Sequence, residues 1–357
     1  MFEPAVKIVT DRLVLRRFAA DDLDRLWPVV SSGAGPLPPG VPATRPGLAA
    51  WLADSDAHAA YLAITDAAGR IVGAIGLVRT DPRAGRAEIA YGTHPDHRGR
   101  GYMTEALRAL TRRLFDATGL QRVELTADPG DLASLRVAHK AGFTWEGVLR
   151  GYDRDDGPRD RVMLSLLRGD SGEPPPALPC QELRTKRLLL RRFTDADAPD
   201  LALIGADELT QAMTGVPRGY TEAHARAFMA TSERMRLRGH GIAWAVAELA
   251  GGRLVANVDL RDVDWNHRVA EIGYMTAPWA RGRGYAGEAA RAVAEWLLRE
   301  QGFNRLQLRA APGNPASRRV AEKAGFVREG VMRRSIQGQD MVLYSMVPSD
   351  LAAERSL

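Results

Sequence analysis

The sequence predicts an α/β fold with a mixed sheet, built twice in tandem. Three observations predict it: blocks of sequence recur at a near-constant separation, each copy alternates strand-like and helix-like segments, and a proline run divides the copies. Thr10-Asp-Arg-Leu-Val-Leu-Arg-Arg-Phe18 returns as Thr185-Lys-Arg-Leu-Leu-Leu-Arg-Arg-Phe193, 175 residues later. Ala87-Glu-Ile-Ala-Tyr91 leading into Arg98-Gly-Arg-Gly-Tyr102 returns as Ala270-Glu-Ile-Gly-Tyr274 leading into Arg281-Gly-Arg-Gly-Tyr285, now 183 residues on. Ala133-Ser-Leu-Arg-Val-Ala-His-Lys-Ala-Gly-Phe143 keeps that offset in Ala316-Ser-Arg-Arg-Val-Ala-Glu-Lys-Ala-Gly-Phe326. The first copy is therefore 8 residues shorter between its first strand and its glycine turn. A length of 357 residues also suggests two domains.

Each copy opens on the strand-like run ending at Phe18 or Phe193, followed by one or two helices and a set of strands. Spans 71–77 and 254–260 read as strands from their β-branched content and borders. A turn of arginine and glycine follows, then a helix. Met103, Ala106, Leu107, Leu110 and Leu114 recur at helical spacing, as do Ala286, Ala289, Ala290, Val293 and Leu297. Spans 122–127 and 305–310 are the next strands, and a helix with two closing strands completes each copy. Domains are expected at 1–168 and 183–357. The linker at 169–182 is semi-rigid, because Pro174-Pro-Pro176 can continue neither a helix nor a central strand. Residues 32–40, rich in Gly and Pro, read as loop.

Apolar residues make up 45% of the chain, enough for two cores, and no run approaches the roughly 18 to 20 apolar residues of a membrane span. The N-terminus leads directly into a strand-like run, so no signal peptide and a cytoplasmic location are expected. The single cysteine, Cys180, excludes an internal disulfide framework and reads as an exposed, incidental thiol. A net charge of +5 comes from 45 Arg and 4 Lys spread among nearly as many acids. Nucleic-acid binders cluster their charge, so the balance argues against such a partner.

The glycine turn carries the chemistry. Gly99, Gly101, Gly282 and Gly284 let the backbone approach a ligand and adopt dihedrals other residues resist. The helix behind each turn brings unsatisfied N–H groups and a positive dipole end to the same point, a ready site for phosphate. Arg98, Arg100, Arg281 and Arg283 add charge there, although each is alternatively a solvated surface arginine. Short glycine turns are common. The repetition of this one between strand and amphipathic helix is what points to a phosphate-bearing ligand.

Arg281-Gly-Arg-Gly-Tyr-Ala286 satisfies the Arg/Gln-x-x-Gly-x-Gly/Ala signature of GNAT acyl-CoA-dependent N-acetyltransferases. The wider chain resembles their RimJ/RimL-type branch almost end to end in both copies, through Arg-Leu-x-Leu-Arg-x-Phe, Ala-Glu-Ile-Gly-Tyr, Arg-Gly-Arg-Gly-Tyr, Asn-x-x-Ser-x-Arg-Val, Lys-x-Gly-Phe and Glu-Gly. The resemblance implies two tandem GNAT domains, acetyl-CoA as co-substrate, no metal, and direct transfer to a primary amine in a ternary complex. The acceptor is a peptide or protein N-terminus or a small amine, with no nucleic-acid or membrane partner. Pyrophosphate would sit on Arg281, Gly282, Arg283, Gly284, Tyr285 and Ala286, or on Arg98, Gly99, Arg100, Gly101, Tyr102 and Met103. Pantetheine would lie beside Tyr274, Met275 and Thr276, with Asn314 and Lys323 also at the cofactor.

Transfer from a thioester demands that the amine lose a proton, that an oxyanion find a donor and that the thiolate gain a proton. Many members place a tyrosine four residues before Gly-Phe for the thiolate, but those positions are Ala138 and Ala321. RimL-like members resemble this chain in using the serine of Asn-x-x-Ser, which is Ser134 and Ser317; either is alternatively a helix N-cap. Glu88 and Glu271 stand where members often keep a general base, or else pair with one of the many arginines. A further carboxylate of RimL-like members corresponds to Asp153 in the first copy and to Ile336 in the second.

The copies differ. Asp131 replaces the asparagine found at 314, Met103 takes the small-residue position of Ala286, and the missing residues fall where the family builds acceptor-side helices. The second copy is therefore the expected catalytic one, with Asp153 standing against that choice. The first would brace it or help hold a larger acceptor, and the tandem chain would replace a homodimer and act as a monomer. Trp265, Trp279 and Trp296 are candidates to line an acceptor pocket. The competing reading is a non-catalytic acyl-CoA-binding scaffold of degenerate copies.

Overall fold

The computed structural model describes residues 6–32, 41–54, 56–153, 157–336 and 338–351. The chain divides into two compact units, Met1–Pro175 and Pro176–Leu357, so the border falls inside the proline run. In the first unit β1 (Lys7–Val9) and β2 (Leu13–Arg16) precede α1 (Leu23–Ser32) and α2 (Arg45–Ala53). Then come β3 (Tyr61–Asp66), β4 (Ile71–Asp81), β5 (Arg86–Thr93), α3 (Tyr102–Ala117), β6 (Arg122–Ala127), α4 (Leu132–Lys140), β7 (Thr144–Asp153) and β8 (Arg159–Leu167). The sheet runs β1-β2-β3-β4-β5-β6-β8-β7. Its one parallel pair is β5/β6, because α3 returns the chain to the starting end before β6.

The second unit repeats the plan with β9 (Leu183–Arg184), β10 (Leu188–Arg191), α5 (Ala198–Ala206), α6 (Glu208–Met213), α7 (Glu222–Leu237), β11 (Ile242–Glu248), β12 (Leu254–Asp264) and β13 (Val269–Thr276). It closes with α8 (Tyr285–Glu295), β14 (Arg305–Ala310), α9 (Pro315–Lys323), β15 (Val327–Ile336) and β16 (Gln339–Met346). Sheet order is the same read backwards, β15-β16-β14-β13-β12-β11-β10-β9, with β13/β14 the parallel pair. Strand alternation puts Leu306, Leu308 and Ala310 into the core, and the helical spacing of α8 buries Ala286, Ala289, Ala290 and Val293. At Trp296 the helix widens into a π-turn, Trp296–Glu300, which still buries Leu297. The extra residues of this copy lengthen α7 to sixteen residues, against nine in α2 of the first unit. The loop expected at 32–40 begins at the end of α1, and residues 33–40 lie outside the described residues.

Three expectations change here. The stretch 176–182 packs into the second unit rather than spanning open space. Leu178 is buried in its core, and the indole N–H groups of Trp244 and Trp296 donate to the Gln181 carbonyl (2.9 Å) and its Oε1 (3.3 Å). Cys180, expected to be exposed, is half-buried against the same core, and burial pushes its thiol up. Trp296, proposed for a pocket, is likewise core, edge-on to Trp244 with ring centroids 5.3 Å apart. Among the described residues no helix is long and apolar enough to cross a membrane.

The feature that positions the site is the parting of the parallel strands. Pairing of β13 with β14 covers Val269, Ala270 and Glu271, after which Ile272–Thr276 pair with β12 alone. In the first unit β5 and β6 part at the same place, after Glu88. Each parting leaves backbone N–H and C=O groups facing a gap, and buried backbone groups require partners.

Candidate functional site

The glycine turns stand at the mouth of these gaps. Gly99, Gly101, Gly282 and Gly284 have φ of 75°, 78°, 76° and 79°, the left-handed region that L side chains resist. Gly101 and Gly284 are the N-caps of α3 and α8, so the chain reverses into a helix whose first N–H groups point out of the turn. A Cβ built on Gly99 or Gly282 meets nothing within 4 Å, which leaves the space in front of both turns open. Curled backbone, helix N-terminus and open space together fit a pyrophosphate.

What holds the turn was not read from the sequence. In the first unit the backbone N–H and Nε of Arg12 donate to Glu105 (3.0 and 2.7 Å), Thr10 Oγ1 donates to Glu105, and Arg12 Nη1 donates to the carbonyl of Arg100 (3.0 Å). In the second unit Arg187, Thr185, Glu288 and the carbonyl of Arg283 repeat the arrangement. Each guanidinium also lies over the following tyrosine, 5.0 Å from the Tyr102 centroid and 4.7 Å from that of Tyr285. The signal was present in the repeated Thr-x-Arg and in a Glu four residues after each second glycine. The next arginine of the same motif is structural too: Arg16 and Arg191 clamp Asp22 and Asp197 through two hydrogen bonds each, all 2.7 or 2.8 Å.

The turn arginines differ between units. Arg281 is tied to Asp207, the N-cap of α6, and donates to Thr210 Oγ1 at 3.2 Å. This guanidinium, with the Thr210 N–H, holds the Asp207 carboxyl down at about 2. Arg283 Nη2 is 2.7 Å from Glu248, which also accepts from the Tyr285 hydroxyl and so pushes that phenol up. In the first unit Arg98 reaches only the Thr93 carbonyl, at 3.4 Å, and neither it nor Arg100 has a carboxylate among the described residues. His97 is held below its usual range by burial and by Arg100.

The serines sit in the first turns of α4 and α9, but they are not the caps. Asp131 and Asn314 are, each accepting from the backbone N–H three residues on at 3.0 Å. The alternative role offered for Ser134 and Ser317 therefore belongs to their neighbours, and both hydroxyls are spared capping. The Tyr274 hydroxyl reaches across from β13 and lies 3.0 Å from both the carbonyl and the Oγ of Ser317. Burial pushes the Tyr274 phenol up to about 12, so it stays neutral. In the first unit Tyr91 donates to the Ser134 carbonyl at 2.9 Å, and burial raises it as well. No hydrogen bond of the Ser134 hydroxyl is present among the described residues.

Both strand glutamates are buried and ion-paired. Glu88 accepts from Thr126 at 2.8 Å and lies 3.7 Å from Arg79. Glu271 is held through Oε2 by Arg309, while its Oε1 is 3.7 Å from Arg261. Asp153 ends β7 in an ion pair with Arg161, and Ile336 ends β15. Met275 and Thr276 line the parted end of β13, half-buried, and Lys323 is exposed in the last turn of α9. Trp279 donates to the Leu254 carbonyl at 3.2 Å under the Arg253 guanidinium, and Trp265 to that of Gly239 at 2.7 Å, so both indoles are structural. Met103 is core: it points away from the turn onto Gly73, where a Cβ would lie 3.3 Å from its methyl. Its bulk is matched by that glycine and weighs nothing against the first turn. Among the described residues no group of side chains is arranged to hold a metal ion.

A family model described as an acetyltransferase (GNAT) domain matches residues 12–144 and again 187–327. The uncharacterized N-acetyltransferase YoaA of Bacillus subtilis is 30% identical over 153 residues, 43% of this chain and 86% of that protein. Spermidine N(1)-acetyltransferase of Vibrio cholerae is 29% identical over 85 residues, 24% of this chain and 49% of that one. Among solved structures, RimJ of Mycobacterium smegmatis in complex with CoA-disulfide is similar with a TM-score of 0.43 and 21% identity, over 49% of this chain and 91% of that one.

Proposed function

The chain belongs to the acetyltransferase (GNAT) family, carries its domain twice and is an acetyltransferase; from that premise we propose that the second unit carries the reaction, on a primary amine. The family's co-substrate is acetyl-CoA. The observation that carries the assignment is the Tyr274–Ser317 contact at the parting of β13 and β14. The Tyr274 proton goes to the Ser317 carbonyl, so the serine hydroxyl rests against the phenol oxygen and turns its proton outward to meet the departing sulfur. As the amine nitrogen bonds to the acetyl carbon and the C–S bond breaks, Ser317 gives that proton to the sulfur and is reprotonated through Tyr274 or water. The amine's own proton goes by way of water to Oε1 of Glu271, the oxygen that Arg309 does not hold. Backbone groups on β13 beyond Glu271 lie beside the gap, suited to pair with pantetheine.

The acceptor is a peptide N-terminus or a small amine. The test is thiol release from acetyl-CoA across panels of both. Asn314→Ala with Ser317→Ala is expected to abolish amine-dependent release, and Ser134→Ala to leave most of it. A dead Ser134 variant reverses the assignment. Acetyl-CoA binding with no turnover on any amine selects the scaffold reading instead.

A further inference from the structure

The two units furnish the face of the sheet beside Glu271 and Glu88 differently, and the difference identifies a subsite. Strand pairing sets Asn257 opposite Met275, Asp259 opposite Gly273 and Arg261 opposite Glu271. Alternation puts the side chains of Asn257, Asp259 and Arg261 on one face, together with Glu271. The matching pairs in the first unit are Ala74 with Gly92, Gly76 with Ala90 and Arg79 with Glu88. There the Tyr61 ring covers Gly76 so closely that a Cβ at Gly76 would collide with it. Tyr61 is replaced by Ala243 opposite Asp259. The second unit has thus exchanged an aromatic plug for a small side chain, an amide and a carboxylate.

That space holds a cation already. The Arg261 guanidinium lies over Gly273, where a Cβ would collide with Nη2 and sit 3.1 Å from Asp259 Oδ1. Its Nε is 3.4 Å from Asp259 and 3.7 Å from Glu271, so it bridges two carboxylates without a short hydrogen bond to either. Its side chain is 47% exposed, whereas that of Glu271 is 4% exposed. Beside it Asn257 is 1% exposed, and its Oδ1 has no hydrogen-bond partner. A buried amide oxygen without a donor is costly and calls for one. Burial also pushes the Asp259 carboxyl up against the pull of Arg261.

We propose that Asn257 and Asp259, beside the base Glu271, form a cation subsite for the acceptor, which Arg261 fills until a second positive group of the amine substrate displaces it. The acceptor class is then a diamine, or a peptide amine with a basic neighbour. This rests on the second unit being the reacting one, but the test measures binding and needs no turnover. Calorimetry on the full chain saturated with CoA compares 1,4-diaminobutane with n-butylamine, which differ by one ammonium. The diamine should bind about tenfold more tightly, the range of one charge-assisted hydrogen bond. Asp259→Asn should erase the preference. Arg261→Ala should tighten diamine binding, and Ala243→Tyr, which restores the plug of the first unit, should remove it. Equal binding of the two amines, no binding of the diamine, or a preference that survives Asp259→Asn overturns the subsite. The Ser317 and Ser134 comparison separately decides which unit reacts.

Discussion

The two units carry the same glycine turn in different electrostatic settings. In the second, Arg281 and Arg283 are both answered by carboxylates, Asp207 and Glu248. In the first, Arg98 and Arg100 meet no carboxylate among the described residues, which leaves their charge available to an anionic ligand. The serines and their surroundings differ the other way. Ser317 has its hydroxyl contacted by Tyr274 and a polar face beside Glu271, whereas Ser134 lacks the hydroxyl contact and Tyr61 covers the matching face. On the proposed assignment, duplication has let cofactor attraction and acceptor chemistry diverge, with the less compensated turn charge in one unit and the proposed reacting serine in the other.

The sharpest way to break this comparison is at the serines. Ser317→Ala alone is expected to lower kcat by about 100-fold or more, the usual contribution of a positioned proton donor, while Ser134→Ala stays within about twofold. Next come the caps of the two helices. An alanine at Gly284 or Gly101 must adopt the left-handed conformation at a cost of about 1–2 kcal/mol, and its methyl would lie 3.7 or 3.5 Å from Nη2 of Arg187 or Arg12, the guanidinium that holds the turn. If both turns hold acetyl-CoA, titration calorimetry will show two equivalents in the wild type and one in either variant. Gly284→Ala should remove the equivalent that supports turnover. Tyr274→Phe is expected to be milder, a drop of about tenfold in kcat with the KM for acetyl-CoA little changed, because it removes one hydrogen bond to Ser317. Tyr91→Phe should leave kcat within error.

The fold was legible because its evidence is local and doubled. Residues 122–127 and 305–310 alternate buried and half-exposed side chains as a strand must, and the structure assigns strands over those same residues. The glycine turn was legible for the same reason. What was hidden depends on contacts between distant residues. The Thr10, Arg12 and Glu105 clamp joins positions some 90 residues apart, and a repeated motif shows that they matter without showing that they meet. The Asp131 and Asn314 caps were visible as residue types, but which member of Asn-x-x-Ser caps the helix depends on where the helix begins. Met103 was read as a defect because its partner, Gly73, lies on another strand. Asp207 was not singled out because Ser32 stands at the matching position of the first copy, so no repeated carboxylate marked it.

Asp207→Asn tests the smallest effect and sets two consequences against each other. Arg281, released from its partner, should draw acetyl-CoA a few-fold more tightly to the second unit, an increase that added salt erodes because it is an exposed charge interaction. The same change should slightly destabilise that unit. The Asp207 carboxyl is held at about 2 in the folded chain against an ordinary 3.8, chiefly by Arg281. A depressed carboxylate stabilises the fold above its unfolded value and loses that contribution as the pH falls from 3.8 through about 2. Because the Arg281 side chain is 34% exposed, screening keeps the contribution below about 1 kcal/mol. Urea unfolding followed from pH 7 downward should therefore show a small deficit in the variant that closes below pH 4. A variant that loses affinity as well as stability would mean that Asp207 holds Arg281 in place for the cofactor instead of withholding it.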